Sequence, residues 1–257
     1  MRVSLFVTCL TDLFAPDVGM ATVKVLEYFG CRVDFPAAQT CCGQPQFNNG
    51  FHPEAAQLAR RMIGVFGKST CVVTPSASCA AMFREHYPAL LKDDPVWEPG
   101  ALELAAKTYE LVEFLTKVLK VDVSALALPE AARVACHYTC HNRGIHQSPE
   151  PCQRLIGGLG NVAVVPLRNA EQCCGFGGTF SVKYPEISAT IARDKVKCAA
   201  ESGADVLIVN DAGCAMNIGG TAHRAGVGIK IRHVAQMLAA AMDGKRSDAR
   251  AGSGRPD

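Results

Sequence analysis

The stretch Thr40-Cys41-Cys42-Gly43-Gln44-Pro45 decides how this chain is read, because its central tripeptide returns as Cys173-Cys174-Gly175. Cys9 precedes the first copy and Thr74-Pro75-Ser76-Ala77-Ser78-Cys79-Ala80 follows it. Cys140 precedes the second, and Val209-Asn210-Asp211-Ala212-Gly213-Cys214-Ala215 follows. The gaps between cysteine landmarks are 31 and 36 residues in the first copy and 32 and 39 in the second. One such tripeptide could arise by chance among 13 cysteines, but two with matched flanks indicate an internal repeat, offset by 131 to 135 residues.

Short apolar runs at 3–8, 31–35 and 71–74 predict strands in the first half. Helices are predicted at 17–29, stopped by Gly30, and at 53–66, opened by Pro53 and stopped by Gly67. The second half predicts strands at 133–137, 162–165, 205–209 and 229–232, with helices at 151–159 and 185–202 and a last one through Met242. This alternation predicts an α/β fold of two tandem, related three-layer units with parallel sheets. The run 101–119 has helical apolar spacing and is expected to brace the halves. The expected organisation is a first unit at 1–98, a helical linker at 99–130, a second unit at 131–243, and a disordered tail at 244–257 without apolar periodicity.

Every motif cysteine then falls just past the carboxyl end of a predicted strand. In open parallel sheets those loops share one rim, so distant thiols become neighbours. Cys79 and Cys214 open helices, where the thiolate is favoured. Gly43, Gly175, Gly177 and Gly178 let the backbone turn tightly beside a bulky ligand. A dinucleotide fingerprint does not fit, since 175–180 lacks the last glycine and does not follow the first strand.

With no export signal, so many cysteines point to metal or redox chemistry in a cytoplasmic protein rather than to disulfides. The candidate ligands are Cys9, Cys41, Cys42 and Cys79 in one half, and Cys140, Cys173, Cys174 and Cys214 in the other. Adjacent thiolates suit a multinuclear iron–sulfur cluster better than one tetrahedral zinc, with zinc as the alternative. Cys31, Cys71 and Cys136 lie in predicted strands and are expected in the core, while Cys152 and Cys198 have no supporting spacing. Residues 136–141 resemble a haem attachment site, but three residues separate the cysteines where that motif has two. His141 and Arg143 are candidates to hydrogen-bond cluster sulfurs, and Lys183 and Tyr184 follow them with less support. His52, His86, His223 and His233 are read as ordinary histidines. A balance of 26 Lys+Arg against 24 Asp+Glu disfavours nucleic acid and anionic membrane as partners, and no run is long enough to insert into a bilayer.

These motifs resemble the cysteine-rich CCG domain family, found in the catalytic subunit of heterodisulfide reductases and in iron–sulfur subunits of glycolate oxidase and anaerobic glycerol-3-phosphate dehydrogenase. Residues 40–45 and 74–79 are similar to a short, two-domain subgroup that works in lactate utilisation. The resemblance implies one cluster per domain, of the [4Fe-4S] type, and electron transfer within a multi-subunit oxidoreductase that oxidises L-lactate. The partners it implies are a ferredoxin-like iron–sulfur protein and a third lactate-utilisation subunit. The fullest family motif ends in CxxC, whereas Ser76 and Asp211 stand at the first of those positions here. Four thiols per half suffice for a four-thiolate cluster, so disulfide-reducing catalysis is not carried over from the family. From the cysteines alone, a thiol–disulfide reductase and a zinc-stabilised scaffold without redox role remain the alternatives.

Overall fold

The computed structural model describes residues 1–251, with side chains through Gly244. In the first half β1 (Arg2–Leu5) lies between β2 (Arg32–Asp34) and β3 (Val72–Thr74), and β4 (Thr108–Glu110) completes the order β2-β1-β3-β4. The second half repeats this with β5 (Ala127–Cys136), β6 (Gly160–Val164), β7 (Val206–Val209) and β8 (Lys230–His233), in the order β6-β5-β7-β8. All pairs are parallel. The expected tandem α/β architecture is therefore present, with one topology used twice.

Parallel sheets need cover on both faces, and alternate strand residues show how each is covered. Val3, Leu5 and Val73 of the first sheet and Val134, Cys136, Val206 and Ile208 of the second enter one common core. The helices Pro16–Tyr28 and Val234–Ala251 supply Val25, Leu26, Leu238 and Met242 to it. Val72 points the other way, into a separate cluster with Phe6, Met62, Phe66 and Phe83. Ala135, Leu207 and Val209 likewise meet Val196 and Ile218. The halves therefore share their middle layer. Lys24 reinforces the junction, its Nζ lying 2.6 Å from Asp243 and 3.3 Å from the Ala239 carbonyl.

The run 101–119 differs from the single helix its periodicity predicts. The helix Glu98–Ala106 stops, β4 forms, and a short turn at Leu111–Glu113 leads into a π-helical segment, Phe114–Val118. Thr108 caps the outgoing helix by donating its hydroxyl to Leu104 O at 2.7 Å, and Val72 N donates to Lys107 O at 2.8 Å, which starts the pairing with β3. Threonine and tyrosine fit a pleated edge, and pairing overrides the helical pattern. The last helix runs to Ala251, past the start of the expected tail, whose final residues 252–257 lie outside the described residues. No helix among the described residues is long and apolar enough to cross a membrane.

Candidate metal centres

The loops after the strands build two matched thiol sets. Cys9 opens the helix Cys9–Phe14, capped by the Thr8 hydroxyl, and Cys140 opens the 3-10 turn Cys140–Asn142. Cys79 lies in the first turn of Ala77–Ala81 behind an N-capping Ser76. Cys214 lies in the first turn of Ala212–Arg224 behind an N-capping Asp211. The adjacent pairs sit on tight turns closed by Gly43 at φ 89° and Gly175 at φ 81°, a region that favours glycine. There the Gly43 amide donates to Cys41 Sγ at 3.4 Å, and the Gly175 amide to Cys173 Sγ at 3.3 Å.

Within each set the thiols form a chain of contacts. Cys42 and Cys79 are buried with their sulfurs 3.3 Å apart, and Cys174 and Cys214 are buried at 2.9 Å. Hydrogen bonding from Cys42 and then Cys9 pulls Cys41 down to about 3, more than burial pushes it up, and the Gly43 amide adds to the effect. Cys140 and Cys174 do the same for Cys173, which falls to about 2. Facing those thiolates, Cys9, Cys42, Cys140 and Cys174 are all pushed up, chiefly by the same contacts and then by burial. Each set thus places one thiol favoured as thiolate beside thiols pushed up, and thiols give up such protons when they bind a metal.

Both sets open onto one cavity of about 400 Å³, whose apolar wall includes Phe14, Phe176 and Val182. The two positions that depart from the family's CxxC pattern meet in its lining. Asp211 Oδ2 accepts from Ser76 Oγ and Ser78 Oγ, both at 2.8 Å, and from Ser78 N at 3.2 Å, while Oδ1 accepts from Gly213 N at 3.0 Å. On the rim Lys183 Nζ reaches Asn49 Oδ1 at 2.7 Å, and Asn49 in turn donates to Thr179. Different side chains hold the equivalent backbone atoms: Tyr87 OH donates to Cys42 O, and Asn217 Nδ2 to Cys174 O, both at 2.8 Å.

A scan of family models matches the CCG cysteine-rich domain twice, at residues 3–84 and 134–219. The chain belongs to the CCG cysteine-rich domain family. Among curated relatives it is 49% identical to lactate utilization protein A of Geobacillus thermodenitrificans, covering 93% of this chain and 98% of that one. It is 50% identical to the protein of the same name from Halalkalibacterium halodurans, over 93% and 96%. A solved structure of a hypothetical protein from Helicobacter pylori shares the fold at TM-score 0.68 and 11% identity, covering 96% of this chain. The chain spans about half (51%) of that structure's length.

Of the supporting residues read from sequence in this family member, His141 lies at the site, its Nδ1 3.7 Å from Cys140 Sγ. Arg143 turns away to Glu171, at 3.1 Å from its carbonyl and 3.3 Å from its carboxylate. Lys183 ties the halves together at Asn49, and Tyr184 is exposed beside Phe180. Cys31, Cys71 and Cys136 are buried in the shared core, with Cys152 against Cys136. Cys198 lies under Arg168 and Asn169, away from the cavity wall. His233, read as ordinary, is buried and joins the halves: its Nε2 donates to Pro75 O at 3.0 Å while Nδ1 accepts from Ala235 N.

Sequence reasoning passed over His137, which follows β5 and is 4% exposed. Burial, reinforced by the Lys195 ammonium, holds it down to about 4, so the ring is neutral. Lys195 is itself buried, its Nζ bonded to the carbonyls of Asn169 at 2.5 Å and Ala170 at 3.2 Å. The signal for His137 was the repeat offset, which aligns it with Phe6 just as it aligns Cys140 with Cys9.

Proposed function

We propose that this chain is an iron–sulfur electron-transfer subunit acting in lactate utilisation, with one [4Fe-4S] cluster in each half. The observation that carries the reading is the convergence of two four-thiol sets, each already holding one thiolate, on a single apolar-walled cavity. Four thiolates match the donor set of such a cluster. Cys9, Cys41, Cys42 and Cys79 would hold the first, and Cys140, Cys173, Cys174 and Cys214 the second.

A bound cluster supplies one-electron acceptance and release. The protein's own part is to set its surroundings. The Gly43 and Gly175 amides aim at Cys41 and Cys173, hydrogen bonds that stabilise negative charge on sulfur. Tyr87 and Asn217 fix the loop carbonyls behind the buried cysteines. Apolar walls exclude water, which lowers the rearrangement that accompanies a change of charge.

The shared name of the relatives, lactate utilization protein A, supports the pathway. Chemistry on lactate then belongs to a partner, and the partners of this reading are a ferredoxin-like iron–sulfur protein and a third lactate-utilisation subunit. The test is iron, acid-labile sulfide and zinc per chain after anaerobic purification, in the wild type and in Cys173→Ser. Matched iron and sulfide, falling by about half in the variant, is the expected result. Zinc without iron replaces the reading by a structural scaffold, and an unchanged iron content in Cys173→Ser removes that residue from the ligand set.

A further inference from the structure

His137 and Phe6 occupy the same place in the two halves. Each is the first residue past the carboxyl end of the sheet's second strand in order, β5 or β1. Each makes the same backbone bond to the neighbouring strand: Phe6 N to Val73 O and His137 N to Ile208 O, both at 2.9 Å. Both side chains are buried, and the first half shows that an apolar ring fills the position well, among Phe66, Phe83 and Cys42.

In the second half the ring carries two nitrogens, and neither has a hydrogen bond of ordinary geometry, although the Ala170 carbonyl lies near enough to act on the ring. That carbonyl already receives Tyr138 N at 3.1 Å and Lys195 Nζ at 3.2 Å. A buried polar ring so poorly partnered is unfavourable, and a ligand would complete it. What the ring does face is sulfur: a ring nitrogen, Cys174 Sγ and Cys214 Sγ all lie within 4.8 Å of one another. Imidazole nitrogen and thiolate sulfur are jointly accepted by iron and zinc alike.

We propose that His137 is a nitrogen ligand of the second centre, joining Cys174 and Cys214 and taking the place of one of the four thiolates assigned to that centre above, so that the two halves hold chemically different metal sites. The first is all-thiolate, and the second includes one imidazole. This rests on the metal-centre reading above but not on which metal is bound. The two halves then differ in reduction behaviour despite their common fold, because replacing thiolate by neutral imidazole makes a centre less negative.

The test uses the full chain with iron and sulfide assembled anaerobically, natural or carrying [15N]histidine, reduced and read by pulsed electron paramagnetic resonance. The expected result is one strongly coupled histidine nitrogen, which needs no substitution to detect. In His137→Phe, a side chain the matching position already accommodates, that coupling disappears while the other centre's signal is unchanged. A chain carrying both centres but only weak nitrogen coupling, of the size of an N–H···S contact, overturns the proposal, as does strong coupling that survives in His137→Phe. Iron and sulfide analysis of the same sample judges the cluster reading separately. If no iron is taken up, Co2+ added to the metal-free chain asks the same question: altered thiolate-to-cobalt and ligand-field bands in His137→Phe support ligation, and identical spectra and affinity overturn it.

Discussion

Asp211→Ala should destabilise the protein by about 3–4 kcal/mol, because one carboxylate holds the seam between the halves and also caps a helix. Asp211 is 6% exposed. Its Oδ2 takes two hydroxyls at 2.8 Å and one amide at 3.2 Å from the first half, and Oδ1 takes the Gly213 amide at 3.0 Å. A hydrogen bond to a charged group contributes roughly 1.5–3 kcal/mol, but three donors sharing one oxygen are not additive, so about 2–3 kcal/mol is assigned to the seam. Loss of the cap adds about 1 kcal/mol. With a urea slope of about 3 kcal/mol/M, the unfolding midpoint falls by roughly 1 M. Far-ultraviolet circular dichroism and Trp97 fluorescence, on samples of matched metal content, follow the transition. Asp211→Asn keeps an acceptor oxygen and should lose less. A double-mutant cycle with Ser76→Ala should return a coupling above about 1 kcal/mol, since the residues touch. A midpoint shift below about 0.3 M in Asp211→Ala, or a cycle energy near zero, would refute the seam as a source of stability.

The two CCG glycines should not be equally sensitive. An added Cβ at Gly175 would sit 2.6 Å from Ser188 O, whereas at Gly43 the nearest atom is 3.5 Å away. Gly43→Ala should therefore cost about 1–2 kcal/mol from positive φ alone, and Gly175→Ala clearly more, as thermal unfolding of both variants would show. Glu110 is fully buried, and burial raises its carboxyl to about 7 from 4.5, against hydrogen bonds from Glu113 N and others that lower it. A raised folded-state value means that its contribution is fully present below pH 4.5 and lost as pH rises through 7. Glu110→Gln, which keeps an oxygen for the Val112 and Glu113 amides, should thus gain up to about 3 kcal/mol over the wild type above pH 7 and nothing near pH 4.5, and an advantage independent of pH would contradict this.

The parallel α/β architecture was legible because buried strands are short apolar runs, and the repeat fixed which runs correspond. Cys31, Cys71 and Cys136 were legible as core thiols for the same reason. β4 was not, since three residues of edge strand sit inside a run whose leucines keep helical spacing, and only pairing with β3 reveals them. Convergence of the cysteines within each half followed from their place after the strands. Their opening onto one cavity did not, because it depends on how the halves dock, and that is decided by contacts such as Ser76 with Asp211, 135 residues apart. His137 was obscured by its neighbours: Cys136 and Cys140 drew attention to a haem-like spacing, while the informative comparison was with Phe6.

Two pairs of positions related by the repeat carry different groups where they face the other half. Ser76 donates where Asp211 accepts. Glu110 and His233 end β4 and β8, and each caps the helix that follows, through Val112 N at 2.9 Å and Ala235 N at 3.1 Å. Yet one is an acid facing Gln147 and Asn210, and the other a neutral ring donating to Pro75 O. Two copies of the second unit would set carboxylate against carboxylate at this seam and bury charges whose partners are missing. A chain containing both versions pairs the carboxylate with hydroxyl donors instead. The two thiol sets are also unlike in their surroundings, with Phe6, Phe83 and Tyr87 packed around Cys42 and Cys79 in the first half, and His137 and the Lys195 ammonium near Cys173 and Cys174 in the second. The duplicated fold thus carries complementarity at the seam together with asymmetry at the centres.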